Sequence, residues 1–279
     1  LNNLAFTVVV LVCSIAGGFV GSLVGLGGGF VVTPLLTLVF GVDIRYAIGA
    51  SLISVIATSS GAAAAYVKEG FTNLRVGMLL EVATTTGALV GATLVTVLPA
   101  RAIAIVFGVV LIQAAFVTSR RHADKDTSAA TPDPLATRLR LDSTYPTAEG
   151  LRAYRVRRVP LGFGIMWVAG VISGLLGIGA GAVKVLAMDQ AMYIPFKVST
   201  ATSNFMIGVT AAASAGIYFR AGYVKPELVM PVMLGVTAGA LVGARLLFRA
   251  RTAGLRLLFG IVVALVGLEM IYHGLAAGR

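Results

Sequence analysis

The chain has 279 residues, of which 58% are hydrophobic and only 12% charged, and its mean hydropathy is +0.95. A soluble domain carries about 25% charge, so these proportions leave too little polar surface to coat a globule and exclude an ordinary soluble protein. The net charge of +11 would suggest nucleic acid in a soluble chain. Here much of it falls in short loops between apolar runs, where the positive-inside rule accounts for it and no nucleic-acid partner is expected.

Apolar stretches run at about 4–40, 46–67, 74–98, 102–118, 159–188, 196–219, 226–248 and 255–275, so the expected solvent is a lipid bilayer. The first has no basic flank and outruns a signal-peptide core, and is expected to be mature structure. It is also too long for one crossing. Its 37 residues would make a helix of about 55 Å against a hydrocarbon core near 30 Å. It carries Gly25-Leu26-Gly27-Gly28-Gly29 in its interior, and 159–188 carries Gly177-Ile178-Gly179-Ala180-Gly181. Both stretches are expected to break at the glycines and turn back, which lipid tolerates only where the freed backbone lines a cavity or packs on protein.

A polar segment, 119–158, divides the chain near its middle, and the two sides match at an offset of 152 residues. The glycine runs correspond at that offset, Gly87–Ala92 repeats identically as Gly239–Ala244, and Phe107-Gly108 recurs as Phe259-Gly260. An internal duplication follows, with a first repeat at 1–118, a basic linker at 119–158 expected to be cytoplasmic, and a second repeat at 159–279. If each half contains a turn-back, the halves are inverted and 17 of the 22 Lys and Arg face the cytoplasm; a parallel arrangement puts 14 there. The count favours inverted repeats. The expected fold is an all-α membrane protein, a polytopic helical bundle of two homologous repeats, each opening with a helix broken at a Gly-rich run.

Gly21-Ser22-Leu23-Val24-Gly25-Leu26-Gly27-Gly28-Gly29 with Pro34, then Ala47-Ile48-Gly49-Ala50-Ser51-Leu52, resembles the TauE/SafE sulfite-exporter family. The likeness continues through Ala201-Thr202-Ser203-Asn204-Phe205-Met206-Ile207-Gly208 and the paired Gly-Ala-Leu-Val-Gly-Ala runs. The resemblance implies a multi-pass transporter of the bacterial inner membrane. Its substrates would be sulfite, sulfonates or related sulfur-containing anions, and no prosthetic group is implied. Two departures, Ala180 for a usual glycine and Leu186 where the first half has Pro34, make the two glycine-run segments unequal.

An anion crossing lipid must trade its hydration shell for protein donors. Helix N-termini facing a cavity offer free N–H groups and partial positive charge. Gly27, Gly28 and Gly29 with Gly179, Ala180 and Gly181 are therefore the first candidates for a substrate site near the midplane; Gly17, Gly21 and Gly25, and Gly170 and Gly174, read as packing at four-residue spacing. Lys184 lies three residues after the second run; it either holds the anion or snorkels to the interface. Ser51, Thr202, Ser203 and Asn204 supply hydroxyl and amide donors; Thr84 and Thr85 read rather as packing or helix-lining residues. Glu81, about seven residues into its span, is a candidate for a coupling proton or for pairing with a cation such as Arg245.

Enzyme chemistry is disfavoured. Ser173-Gly174 lacks a glycine two places upstream, neither His122 nor His273 lies deep in a span, and no Gly-x-x-x-x-Gly-Lys run occurs. With the single Cys13, no intrachain disulfide or cysteine-based metal site is available. The expectation is transport of a small anion, probed against an uncoupled channel and a non-sulfur organic anion; a homodimer is left open.

Overall fold

The computed structural model describes residues 3–24, 29–68, 70–119, 133–147, 150–247 and 252–276. The first repeat comprises α1 (Asn3–Val24), α2 (Gly29–Pro34), α3 (Ile44–Lys68), α4 (Leu74–Val97) and α5 (Ala100–Ser119). The second comprises α7 (Val159–Leu176), α8 (Gly181–Leu186), α9 (Phe196–Arg220), α10 (Pro226–Leu247) and α11 (Thr252–Ala276). Among the described residues, α4 and α7 are each long and apolar enough to cross a membrane, and shorter apolar helices account for most of the rest.

The second long apolar stretch breaks at its glycine run. α7 ends where Gly177 takes a left-handed backbone (φ 66°) and donates its N–H to Ser173 O at 2.8 Å, the usual closure of orphan carbonyls at a helix end. Gly179 (φ 71°) and Ala180 (φ 45°) continue in the left-handed region before α8 starts. In the first repeat α1 is described as far as Val24 and α2 from Gly29, and residues 25–28 lie outside the described residues. Each short helix runs on into a wide π turn, Leu35–Val39 and Ala187–Ala191, which are related by the same 152-residue offset. Pro34 precedes one and Leu186 the other, so a missing proline N–H is not what widens them.

The helices pair across the repeats in a reciprocal way: α1 packs on α10 as α7 packs on α4, while α3 packs on its counterpart α9 and α5 on its counterpart α11. Glycines permit the closest approaches. A Cβ at Gly87 or Gly91 would strike the carbonyls of Trp167 or Val171, and one at Gly170 or Gly174 those of Thr84 or Ala88. Gly239 meets Ile15 O in the matching α1–α10 contact, so the duplicated Gly-Ala-Leu-Val-Gly-Ala runs are helix-packing faces. Direction follows from the same contacts. Gly49 lies against Tyr223 and Gly208 against Ser59, so α3 and α9 run antiparallel. Gly274 meets Arg101 and Gly108 meets Gly267, so α5 and α11 do too.

The end of the central segment folds rather than merely linking. It forms α6 (Pro134–Arg138) and a hairpin of β1 (Ser143–Thr147) and β2 (Gly150–Tyr154). Asp133 caps α6 through Leu135 N at 2.9 Å, and its second oxygen accepts from Val159 N at 3.4 Å. Ala136, Leu141, Tyr145 and Tyr154 pack with Val76 and Leu80 of α4 and with Met188, Met192 and Ile194 beyond α8. Asn73, the N-cap of α4, ties this unit down: its Nδ2 donates to Leu141 O at 2.9 Å and to Tyr154 Oη at 2.7 Å.

Candidate functional site

Gly29, at the start of α2, meets Gly177 at the break after α7; a Cβ on Gly29 would lie 2.6 Å from Ser51 Oγ and 3.4 Å from Gly177 O. Ser51, fully buried on α3, donates to Gly177 O at 3.1 Å, and Ser203 on α9 donates to Gly181 O at 3.3 Å. Gly27 and Gly28 lie outside the described residues. The second run is closely covered, since Cβ atoms at Gly177 and Gly179 would meet Ile48 and Ile207 at 2.5 and 2.7 Å. Beside it a narrow crevice lined by Phe30, Val110, Gln113, Ala114, Ala180, Val183 and Leu186 has room for about one water. An oxyanion does not fit that crevice as it stands.

The neighbours of Ser203 diverge, because consecutive helical residues face different ways. Thr202 turns to the hairpin side and accepts from Asn73 N at 3.1 Å. Asn204, half-buried, donates back to Thr200 O at 3.0 Å. Ser54 likewise donates within its own helix, to Ala50 O at 2.9 Å.

Lys184 does not snorkel. Its exposure is 0%, because α8 is short and buried among α5, α7 and α9. Its ammonium donates to Thr210 Oγ1 at 2.6 Å, and Thr210 Oγ1 stands 2.7 Å from Glu81 Oε1. Thr85 donates to the same carboxylate oxygen at 3.0 Å, and Thr84 Oγ1 lies 3.5 Å from Thr210 Oγ1. The cation joined to Glu81 is thus Lys184, bridged by a hydroxyl; the side chain of Arg245 lies outside the described residues. A buried pair of this kind survives only when hydrogen bonds fill most of its polar valences, and Thr84, Thr85 and Thr210 supply them.

Thr210 is the member that sequence reasoning did not single out. Its signal was present. Ser199, Ser203, Thr210 and Ser214 recur at helical spacing, and all four are buried, which marks a hydroxyl-bearing stripe on the inner face of α9. At the offset of 152, Lys184, Glu81 and Thr210 correspond to Val32, Met233 and Thr58, so the charged part of the site exists in one copy within a duplicated frame. Among the described residues no group of three metal-ligating side chains occurs.

A helix broken at its glycine run, an apolar exterior and a cation buried beside the break are the features of a polytopic helical membrane protein. The sequence matches the sulfite exporter TauE/SafE family over residues 10–270, and the chain belongs to that family. It is 27% identical to "Probable membrane transporter protein YunE" of Bacillus subtilis over 275 residues, covering 96% of this chain and 98% of that protein. It is 28% identical over 239 residues to "Probable membrane transporter protein YdhB" of the same organism, covering 85% and 88%. An archaeal relative, "Probable membrane transporter protein MJ0441" of Methanocaldococcus jannaschii, is 23% identical over 91% of each chain. No solved structure matches the chain significantly. The protein is a multi-pass membrane transporter.

Proposed function

We propose that the protein exports small sulfur-containing anions, sulfite and sulfonates such as sulfoacetate, across the bacterial inner membrane, holding the anion near the midplane between the two repeats. The observation that carries this reading is the fully buried ammonium of Lys184, one turn beyond the second break. An ionisable group so placed costs about 2.5–3.5 kcal/mol on insertion scales, and an anionic cargo gives that cost a use. Ser51, Ser203 and the amides of Gly29, Gly179, Ala180 and Gly181 lie at the same convergence as further donors, available once the covering isoleucines part.

The two repeats are related by inversion in this reading. Equivalent helices α3 and α9, and α5 and α11, run antiparallel, as an axis in the membrane plane requires. The basic central segment then lies on the cytoplasmic face. In this reading the protein is a carrier that alternates, with an open channel, which needs a continuous pore, as the alternative.

Purified protein in liposomes should take up labelled sulfite and a sulfonate against an empty-liposome control, with Lys184→Met reducing uptake at least tenfold. Uptake that ignores every sulfur anion while accepting a simple carboxylate would move the substrate to the non-sulfur class.

A further inference from the structure

Glu81, Thr210 and Lys184 bring three helices together through one hydroxyl, and the arrangement is incomplete at one atom. Oε1 of Glu81 receives Thr85 and Thr210, whereas Oε2 is buried with no partner. A bare carboxylate oxygen in an apolar interior is costly, and a proton on it removes most of that cost.

Thr210 can report whether that proton is there. Its hydroxyl accepts from Lys184, so its own proton has two acceptors in reach, Glu81 Oε1 at 2.7 Å and Met206 O at 2.9 Å. With Glu81 ionised the proton points to the carboxylate, and the ammonium is held by a relay onto negative charge. With Glu81 protonated it turns to the Met206 carbonyl, and Lys184 loses its counter-ion.

Charge balance gives the consequence. Lys184 and Glu81 together sum to zero, so a singly charged anion joining them would leave one uncompensated negative charge in a low-dielectric site. One proton taken from the aqueous phase onto Glu81 restores neutrality. We propose that Glu81 is a built-in counter-anion that yields Lys184 to the cargo on protonation, so that each singly charged sulfonate crosses with one proton and the cycle moves no net charge. This rests on the transport reading above and adds its coupling.

Among the described residues, the other ionisable groups on α4 and α9 and beyond α8 stand apart along their helices, and Arg45 of α3 reaches the far end of α4 at Val95 O and Leu98 O. Arg75 on α4, Lys197, Tyr218 and Arg220 on α9 and Asp189 beyond α8 are separated along their helices from the nearest member of the trio by about 7 to 20 Å. α7 carries no ionisable side chain, and the hairpin brings Tyr145 and Tyr154 only to the start of α4.

The test uses proteoliposomes and methanesulfonate, which stays a monoanion and carries no proton of its own. Wild-type uptake should accelerate with an inward proton gradient and ignore a potential clamped by potassium and valinomycin, while an internal pH dye records about one proton per anion. Glu81→Gln leaves a fixed positive site. It should lose the response to the proton gradient and gain one to voltage, with accumulation shifting by up to about fiftyfold for roughly 100 mV, the factor for one charge. Wild-type uptake that follows voltage and brings no protons overturns the inference, as does Glu81→Gln with an unchanged pH response. If that variant fails to fold, the wild-type proton count decides alone. Anion uptake without protons leaves the transport reading standing; no anion uptake under any gradient overturns the transport reading itself, and this inference with it.

Discussion

Ser51 and Ser203 stand 152 residues apart, and both donate to carbonyls of the same glycine run: Ser51 to Gly177 at 3.1 Å and Ser203 to Gly181 at 3.3 Å. Two equivalent serines thus serve one break, and the bond from Ser51 crosses from the first repeat into the second. Removing a buried hydroxyl that holds a backbone carbonyl costs about 1 kcal/mol, more if the carbonyl is left bare. Ser51→Ala should lower the thermal midpoint in detergent, and Ser203→Ala, losing the longer bond, should lower it less. An unchanged midpoint for Ser51→Ala would mean the break is held by packing alone.

The α4–α7 contact depends on glycine at four positions. Gly91→Ala places a methyl against the Val171 carbonyl, and Gly174→Ala places one against the Ala88 carbonyl. Backbone cannot give way as a flexible side chain would, so each should cost about 1–3 kcal/mol by overpacking. Gly164→Ala is the control: nothing lies within 4 Å of its Cβ, and a helical Gly→Ala there should be neutral or stabilising by up to about 1 kcal/mol. Chemical denaturation of the three variants distinguishes packing from a general dislike of alanine.

Lys184 and Glu81 should behave as one unit. Lys184→Met leaves the carboxylate buried without its cation and should destabilise by about 3–5 kcal/mol, whereas the double variant Lys184→Met with Glu81→Gln should cost well under the sum of the singles. A double-mutant cycle on unfolding midpoints measures this coupling. Additive costs would show that Thr210 insulates the two charges instead of joining them.

Burial pushes the Tyr154 phenol up to about 12 from its ordinary 10.0, against the opposing bond from Asn73. The folded protein therefore keeps a proton that the unfolded chain releases. The stability this contributes is fully present below pH 10 and is lost as the pH climbs to about 12. Protease nicking of the hairpin should rise across that window in the wild type. In Tyr154→Phe the rise should vanish, with a cost of about 1 kcal/mol at neutral pH from the lost bond to Asn73.

Much of the frame was legible before any fold was known. A run of 37 apolar residues is too long for one crossing, and in the second long stretch the glycines mark where the helix ends. The duplication was visible because packing glycines recur in register. The polar trio was harder. Glu81 and Lys184 each stood out as charges in apolar surroundings, yet no spacing rule joins residues 103 apart, and the sequence offered Arg245 as a partner for Glu81 without pointing to Lys184. Thr210 was hidden among many hydroxyls that only bond back to their own helix, as Ser54 and Thr86 do. The hairpin at 143–154 escaped notice because its short, arginine-bearing strands read as a linker until Tyr145 and Tyr154 are seen to cover the end of α4.

The sequence by itself determined what is local or periodic: an apolar chain for lipid, helix ends at glycine runs, small faces every fourth residue, and two copies of each. Tertiary structure alone decided that Ser203 turns to the break while Thr202 turns to the hairpin, and that Lys184 reaches Glu81 through Thr210. Those choices depend on how far each helix is rotated about its axis when it packs. That rotation is set by all of its neighbours at once, so no single stretch of sequence contains it.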